Sequence, residues 1–409
     1  MRIGIFSDTY PPYINGVSTS IEVLQKALEK KGHEVFIVTV NNKKLGYDVS
    51  DKVIRIPGIP IGLYDYRLSG VYPLRVVRKI KKWNLDVIHC HTEFGVGLFA
   101  RVVSNQFGIP LVHTYHTMYE DYVHYVTKGY FSGASQKIIR YLTDFYCDRT
   151  ATELIVPTKK TIDLFKEKYK FAKSVHIVPT GIPLEKYYLE NYNKNDIENL
   201  KKSLNFKADD FIILFVGRIA KEKNIEFLID NHVPLVKKNK NAKLMIIGDG
   251  PLMESMNKKI NKLKMQDNII LTGKVPYEKI GLYYQLATVF TTASVTETQG
   301  LTVIEALAAS LPIVVIDDES FKTAIEDGLN GFIFKNKKEY NKIMLKLMED
   351  NELVETIKVQ AKNSAEKHSD KYFADRILAV YNMAIEKSGR NLSYIEKIKT
   401  RVRKIIYGK

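Results

Sequence analysis

The chain alternates short strand-like runs with amphipathic stretches, and it does so twice. RIGIFS, EVFIVTV, KVIRIP, DVIHCH, PLVHTY, ELIVPT and SVHIVPT follow one another in the first half, and FIILFVGR, KLMIIGDG, NIILTGKV, VFTTAS and PIVVIDD in the second. Between them, segments such as VSTSIEVLQKALEKKG and GLTVIEALAASL carry apolar residues at helical spacing. Strand, helix, strand in repeated order builds a parallel sheet, because parallel neighbours need a crossover long enough to hold a helix. Two such series predict an α/β chain of two Rossmann-like domains. A length of 409 residues with 45% hydrophobic content can fill two separate cores. The stretch LENYNKNDIENLKKS, around Tyr188–Asn205, lacks a strong apolar stripe and marks the expected join. This gives a first domain over residues 1–190, a second over 200–370 and a terminal helical segment over 371–409, with a ligand site expected in the cleft between the domains.

Other classes are disfavoured by what the chain lacks. No apolar run reaches the roughly eighteen residues needed to cross a bilayer, and Met1-Arg2-Ile3 leads into a strand pattern instead of a leader peptide, so a cytoplasmic protein is expected. Cys90 and Cys147 are the only cysteines, which argues against a disulfide framework. Strand alternation puts His89 and His91 on one face of HisCysHis, where they read either as a metal pair or as strand-end packing. Packing is favoured, because no further ligand cluster accompanies them.

The segment TETQGLTVIEALA carries the most chemistry. A helix starting near Gly300 rises about 1.5 Å per residue, so Glu297 precedes its first turn and Glu305 lies about a turn along it. Unpaired N–H groups at the helix start attract phosphate, and Gly300 lets backbone approach it closely. A diphosphate then fits between the two acids. Alone, the segment reads first as a solvated helix cap with two surface carboxylates. Upstream, GRIAKEKN sets Arg218 and Lys223 just beyond a strand end, where a guanidinium fork and an ammonium can neutralise a diphosphate leaving group. Gly16, in the loop TYPPYINGVS ahead of a helix expected from Val17 or Ser18, sits where backbone approaches a ligand; its spacing is not the dinucleotide fingerprint.

GRIAKEKN, IIGDGPL, TGKVPY and TETQGLTVIEALA, in this order and spacing, resemble the retaining GT-B glycosyltransferases of family 4. The resemblance implies a GT-B fold, two Rossmann-like domains facing a central cleft with C-terminal helices crossing back to the first. It implies that Arg218 and Lys223 bind the donor diphosphate, Glu297 contacts the sugar hydroxyls and Glu305 holds the ribose. Gly16 would touch the phosphate, the backbone of Gly300, Leu301, Thr302 and Val303 would complete its cradle, and His116 would face the transferred sugar. HTMYEDYVHYV and DTYPPYINGVSTS further resemble the diacylglycerol α-glucosyltransferases, which implies UDP-glucose as donor and the 3-hydroxyl of 1,2-diacylglycerol as acceptor. Asp8, Glu120 and Asp121 are candidates for the acceptor side. No Asp-x-Asp triplet occurs, so no metal and no cofactor are expected: Arg218, Lys223 and a helix start supply the positive field.

The net charge of +16 is unevenly spread, with 25 basic against 16 acidic residues over 1–180 and 7 against 1 over 390–409. Such a field suits nucleic acid or an anionic membrane. No nucleic-acid-binding fingerprint accompanies it, so nucleic acid is not an expected partner. In PLRVVRKIKKW, Arg75, Arg78, Lys79 and Lys82 stand beside Leu74, Val77, Ile80 and Trp83, a pattern that on its own favours an ordinary domain helix and, with the resemblance, suits a helix lying on anionic lipid at the cytoplasmic face. YIEKIKTRVRKIIYGK repeats the pattern. Competing functions are a GT-B enzyme with another acceptor (glycolipid, glycan or soluble sugar), a basic nucleic-acid-binding protein and a sugar-nucleotide epimerase.

Overall fold

A computed structural model of the chain describes residues 1–13, 15–41, 48–60, 67–69, 74–93, 95–116, 144–159, 162, 175–294, 297 and 299–389. Two compact units result: Met1–Gly181 together with the chain from Asp370 onward, and Ile182–Ser369.

The first unit is built on a sheet whose strands run, edge to edge, Val175–Ile177, Glu153–Val156, Leu111–Thr114, Val87–Cys90, Arg2–Phe6, Glu34–Val40, Val53–Ile56 and Asp48–Val49. All neighbours are parallel except the last pair. Period-two alternation sends Ile3, Ile5, Val35, Ile37 and Val87 to one face and Phe6, Phe36, Val38 and Ile88 to the other. The helices Leu74–Lys82 and Gly95–Phe107 cover the second face through Val76, Ile80, Phe99 and Val103.

The first face is covered from both ends of the sequence. The helix Gly16–Lys30 supplies Ile21, Leu24 and Leu28, and the helix Asp370–Lys387 supplies Phe373, Ile377, Tyr381 and Ala384, spaced by three and four residues. Each large apolar side chain buried here contributes about 1.5–3 kcal/mol. Lys31 pairs with Asp375 at 2.7 Å, and Arg376 donates to the Ile177 carbonyl at 2.6 Å.

The helix Leu74–Lys82 corrects the membrane reading of PLRVVRKIKKW. Val77, Ile80 and Trp83 are 8%, 1% and 4% exposed, so the apolar side is already spent on the domain core. Trp83 stacks on Phe36 with centroids 4.9 Å apart, and its indole N–H donates to the Asp51 carbonyl. Among the described side chains of this helix, Arg78, Lys81 and Lys82 are exposed to solvent. The tail over 390–409 lies outside the described residues.

The second unit has a parallel sheet in the order Ile269–Gly273, Ala242–Ile247, Phe211–Val216, Val289–Thr292, Ile313–Ile316, Gly331–Phe334. Ile212, Leu214, Met245, Ile247 and Val315 fill one core, and Ile213, Phe215, Leu244, Ile246 and Val314 the other. The stretch read as the join belongs inside this unit. Lys194–Ser203 is a helix capped by Asn193, and Ile197, Leu200 and Leu204 pack on the core, so the division falls earlier, between Gly181 and Ile182. Three apolar residues suffice to dock a short surface helix. No helix among the described residues is long and apolar enough to cross a membrane.

Candidate active site

The loops that leave the carboxyl ends of Phe211–Val216 and Ala242–Ile247 lie against each other. The amide of Ile219 donates to the Asp249 carbonyl at 3.0 Å, and that of Leu252 to the Ile219 carbonyl at 3.1 Å. This approach dictates the glycines of IIGDG. A Cβ on Gly248, which has φ +144, would stand 1.8 Å from the Gly217 carbonyl oxygen, and one on Gly250 would stand 2.3 Å from that of Ile219. Arg218 projects from the paired loops as an exposed residue, and a short 3-10 turn, Lys221–Lys223, follows. Lys223 Nζ donates to Glu297 Oε1, joining residues 74 apart in sequence, and both side chains remain about one-fifth exposed. Ser294 Oγ donates to the Glu222 carbonyl at 3.3 Å and ties the two loops beneath that pair.

Gly300 ends the Glu297 loop in the left-handed region, with φ +70, and opens the helix Leu301–Ala308. A Cβ there would lie 2.7 Å from Phe321 Cε1, so backbone and core both require glycine, whatever a ligand needs. Leu301 and Thr302 are half-buried at the first turn, while Val303 points into the core and offers only its backbone. Glu305 receives a hydrogen bond from Tyr284 Oη at 2.7 Å on Oε2. Burial raises its pKa above the usual carboxylate value, against the hydroxyls of Tyr284 and Tyr187 and the Lys186 ammonium, which pull it down. Burial likewise lowers Lys186 to about 8, opposed by Glu305 and Glu278.

In the first unit, Gly16 is exposed and starts its helix one residue earlier than expected, with Asn15 as the cap that accepts from the Ser18 amide at 2.9 Å. A Cβ on Gly16 would meet nothing within 4 Å, so no protein neighbour demands glycine there. His116 follows the strand Leu111–Thr114, and its Nε2 is 2.8 Å from His91 Nδ1. His91 packs on His89 with ring centroids 4.0 Å apart. Both nitrogens of His89 are taken, Nδ1 by Tyr381 Oη at 2.6 Å and Nε2 by Thr114 Oγ1 at 2.7 Å, which removes the metal-pair reading of His89 and His91. Among the described residues no group of three or more His, Cys, Asp or Glu side chains is placed to hold a metal.

Asp8, a candidate for the acceptor side, is a buried brace. Its carboxylate accepts from Thr92 Oγ1 at 2.6 Å and from the Val96 amide at 3.0 Å, it is 4% exposed, and it holds the start of the helix Gly95–Phe107. Burial raises its pKa to about 6, against 3.8 for a free aspartate, although the Thr92 and Val96 hydrogen bonds act the other way. Because the folded state holds the proton more tightly, stability at Asp8 is greatest below pH 4 and is lost as pH rises through about 6, by about 3 kcal/mol. Asp8→Asn is therefore expected to gain on the wild type between pH 4.5 and pH 7, as read from urea midpoints. The buried histidines titrate alike in both proteins and cancel from the difference. A gap that stays constant with pH contradicts this account. Glu120 and Asp121 lie outside the described residues.

Tyr284 and Lys186 have no assigned role in the sequence reading, and His91 is read there only with His89, as a metal pair or strand-end packing. Tyr284 sits in LYYQLA, a plain helical pattern, and Lys186 in a turn; only the fold brings them to Glu305.

Residues 14–186 match the family model Glycosyltransferase Family 4, and residues 196–364 match Glycosyl transferases group 1. The alpha-monoglucosyldiacylglycerol synthase of Acholeplasma laidlawii is 39% identical over 96% of this chain and 100% of its own length. That of Streptococcus pneumoniae is 34% identical over 82% of this chain and 75% of its own length. Among solved structures, sucrose-phosphate synthase from Thermosynechococcus elongatus aligns with TM-score 0.72 at 17% identity over 94% of this chain and 99% of its own. Anabaena HepE in complex with UDP aligns with TM-score 0.71 at 16% identity over 94% and 100%. These likenesses, with two Rossmann-like parallel-sheet units in one chain, identify the fold as GT-B. The chain belongs to glycosyltransferase family 4.

Proposed function

We propose that the protein is a retaining hexosyltransferase that moves glucose from UDP-glucose to the 3-hydroxyl of 1,2-diacylglycerol, making alpha-monoglucosyldiacylglycerol while held peripherally at the cytoplasmic face of the membrane. The observation that carries this reading is the full-length likeness to the Acholeplasma laidlawii synthase at 39% identity. Lys223 and Arg218 take the donor diphosphate, and Lys223, paired with Glu297 in the free protein, already has its charge in place. As the bond from the anomeric carbon to the phosphate oxygen breaks, charge grows on the diphosphate, and these cations and the helix start at Gly300 stabilise it. The acceptor oxygen bonds to the same face, and its proton passes to the leaving phosphate. Glu297 positions the sugar, and Glu305, oriented by Tyr284, holds the ribose hydroxyls.

The membrane is met electrostatically. Arg78, Lys81 and Lys82 are exposed on one helix, and each cation near anionic lipid contributes about 1 kcal/mol. That supports reversible attachment without insertion. The decisive experiment is mass spectrometry of products from the purified protein given mixed nucleotide sugars and mixed acceptors. Glucosyldiacylglycerol from UDP-glucose is expected, undiminished by a chelator and faster on anionic than on zwitterionic vesicles. A product on a soluble sugar alone removes the lipid acceptor, and loss of turnover with chelator removes metal independence.

A further inference from the structure

His91 and His116 follow neighbouring strands of the first unit, Val87–Cys90 and Leu111–Thr114. Their rings are 20° from parallel with centroids 5.1 Å apart, and His91 Nδ1 lies 2.8 Å from His116 Nε2. Both rings are neutral near pH 7. Burial, then the charges of neighbouring histidines, holds His91 well below its ordinary value, and burial brings His116 down to about 4. A contact of this length between neutral imidazoles contains one proton, so one nitrogen donates and the other accepts.

The far nitrogen of His91 decides the direction. Nε2 is buried and has no hydrogen-bond partner among the described residues. If His116 donated, His91 would accept at Nδ1 and carry its own proton on Nε2, leaving a buried N–H with nothing to receive it. Orphaned buried N–H groups are rare in native proteins. If His91 donates from Nδ1, only a lone pair is left at Nε2. His89, locked at both nitrogens by Tyr381 and Thr114, fixes the surface on which His91 packs.

We propose that His91 donates to His116 Nε2 and thereby holds His116 in the tautomer protonated at Nδ1, making His116 a hydrogen-bond donor to its ligand and removing it as a proton acceptor. The identity of that ligand as the transferred sugar rests on the proposed function; the tautomer does not. His91 is a positioning residue in this scheme. With the one basic nitrogen of His116, Nε2, occupied by the bond from His91, the proton of the acceptor hydroxyl leaves by the phosphate.

Long-range ¹⁵N–¹H correlation spectra of full-length protein carrying ¹⁵N-histidine report which ring nitrogen is protonated. His116, identified by the signals lost in His116→Asn, is expected as Nδ1–H in the substrate-free wild type and as the ordinary Nε2–H in His91→Phe. An Nε2-protonated His116 in the wild type overturns the assignment, and that spectrum needs no variant of His91 to fold. A pattern unmoved by His91→Phe overturns it as well. Turnover supplies a second readout: His116→Asn places an amide near Nδ1 and His116→Gln near Nε2, so Asn is expected to keep about tenfold more kcat than Gln. The reverse order contradicts the donor role. If the enzyme transfers no glucose from UDP-glucose, the spectra still decide the tautomer, and only the ligand's identity falls.

Discussion

Lys223→Met is expected to lower kcat/KM for UDP-glucose about a thousandfold while the protein stays folded. Removing one preorganised donor or cation from a site of developing charge costs about 10²–10³ in rate, or roughly 3–4 kcal/mol of transition-state stabilisation. Lys223 also loses its pairing with Glu297, which then faces the incoming diphosphate with its own negative charge uncompensated. That repulsion sets the expectation at the upper end. Stability responds far less, because the pair is partly solvated, and partly exposed ion pairs contribute at most about 1 kcal/mol. Initial rates on mixed micelles, read beside a thermal melt, separate the two effects. A variant with near-native kcat/KM for UDP-glucose removes Lys223 from the diphosphate site.

Gly248→Ala is expected to abolish the folded second unit, with a loss of more than about 4 kcal/mol. The added Cβ would sit 1.8 Å from the Gly217 carbonyl oxygen, a backbone atom that cannot swing aside. Both loops are pinned: the Gly217 amide donates to the Ile247 carbonyl at 2.9 Å, and the Gly248 amide to that of Gly273 at 3.0 Å. The positive φ adds strain for any L side chain. Denaturant titration followed by far-UV circular dichroism measures the loss, and a variant within about 1 kcal/mol of wild type would falsify the close approach of the two loops.

The strands that build both sheets were legible because strands buried on both faces leave short, nearly continuous apolar runs such as those in RIGIFS, EVFIVTV or FIILFVGR. Lys223 and Glu297 were legible one at a time, the first by its place beyond a strand end and the second by its place ahead of a helix start, whereas their ion pair depends on loops brought together by the sheet. The helix Leu74–Lys82 shows a limit of another kind. An amphipathic stripe records that something apolar covers it and not what that something is; here Phe36 and the domain core take the place read for lipid. Tyr284 beside Glu305 and His91 beside His116 are pairings of a tertiary kind, 21 and 25 residues apart, with no spacing rule to announce them. The join was misplaced because the three apolar residues that dock Lys194–Ser203 are too sparse to register as a stripe.

The helix Asp370–Lys387 gives synthesis of this protein an unusual order. A ribosome that has released the first 181 residues has made only part of a domain, with Ile21, Leu24 and Leu28 lacking their cover and His89 lacking Tyr381. The contiguous stretch Ile182–Ser369 comes next and can close its own cores while the earlier half waits. At about 5–20 residues per second, the wait lasts roughly ten to forty seconds. The amino-terminal half is thus the last part of the molecule to be finished.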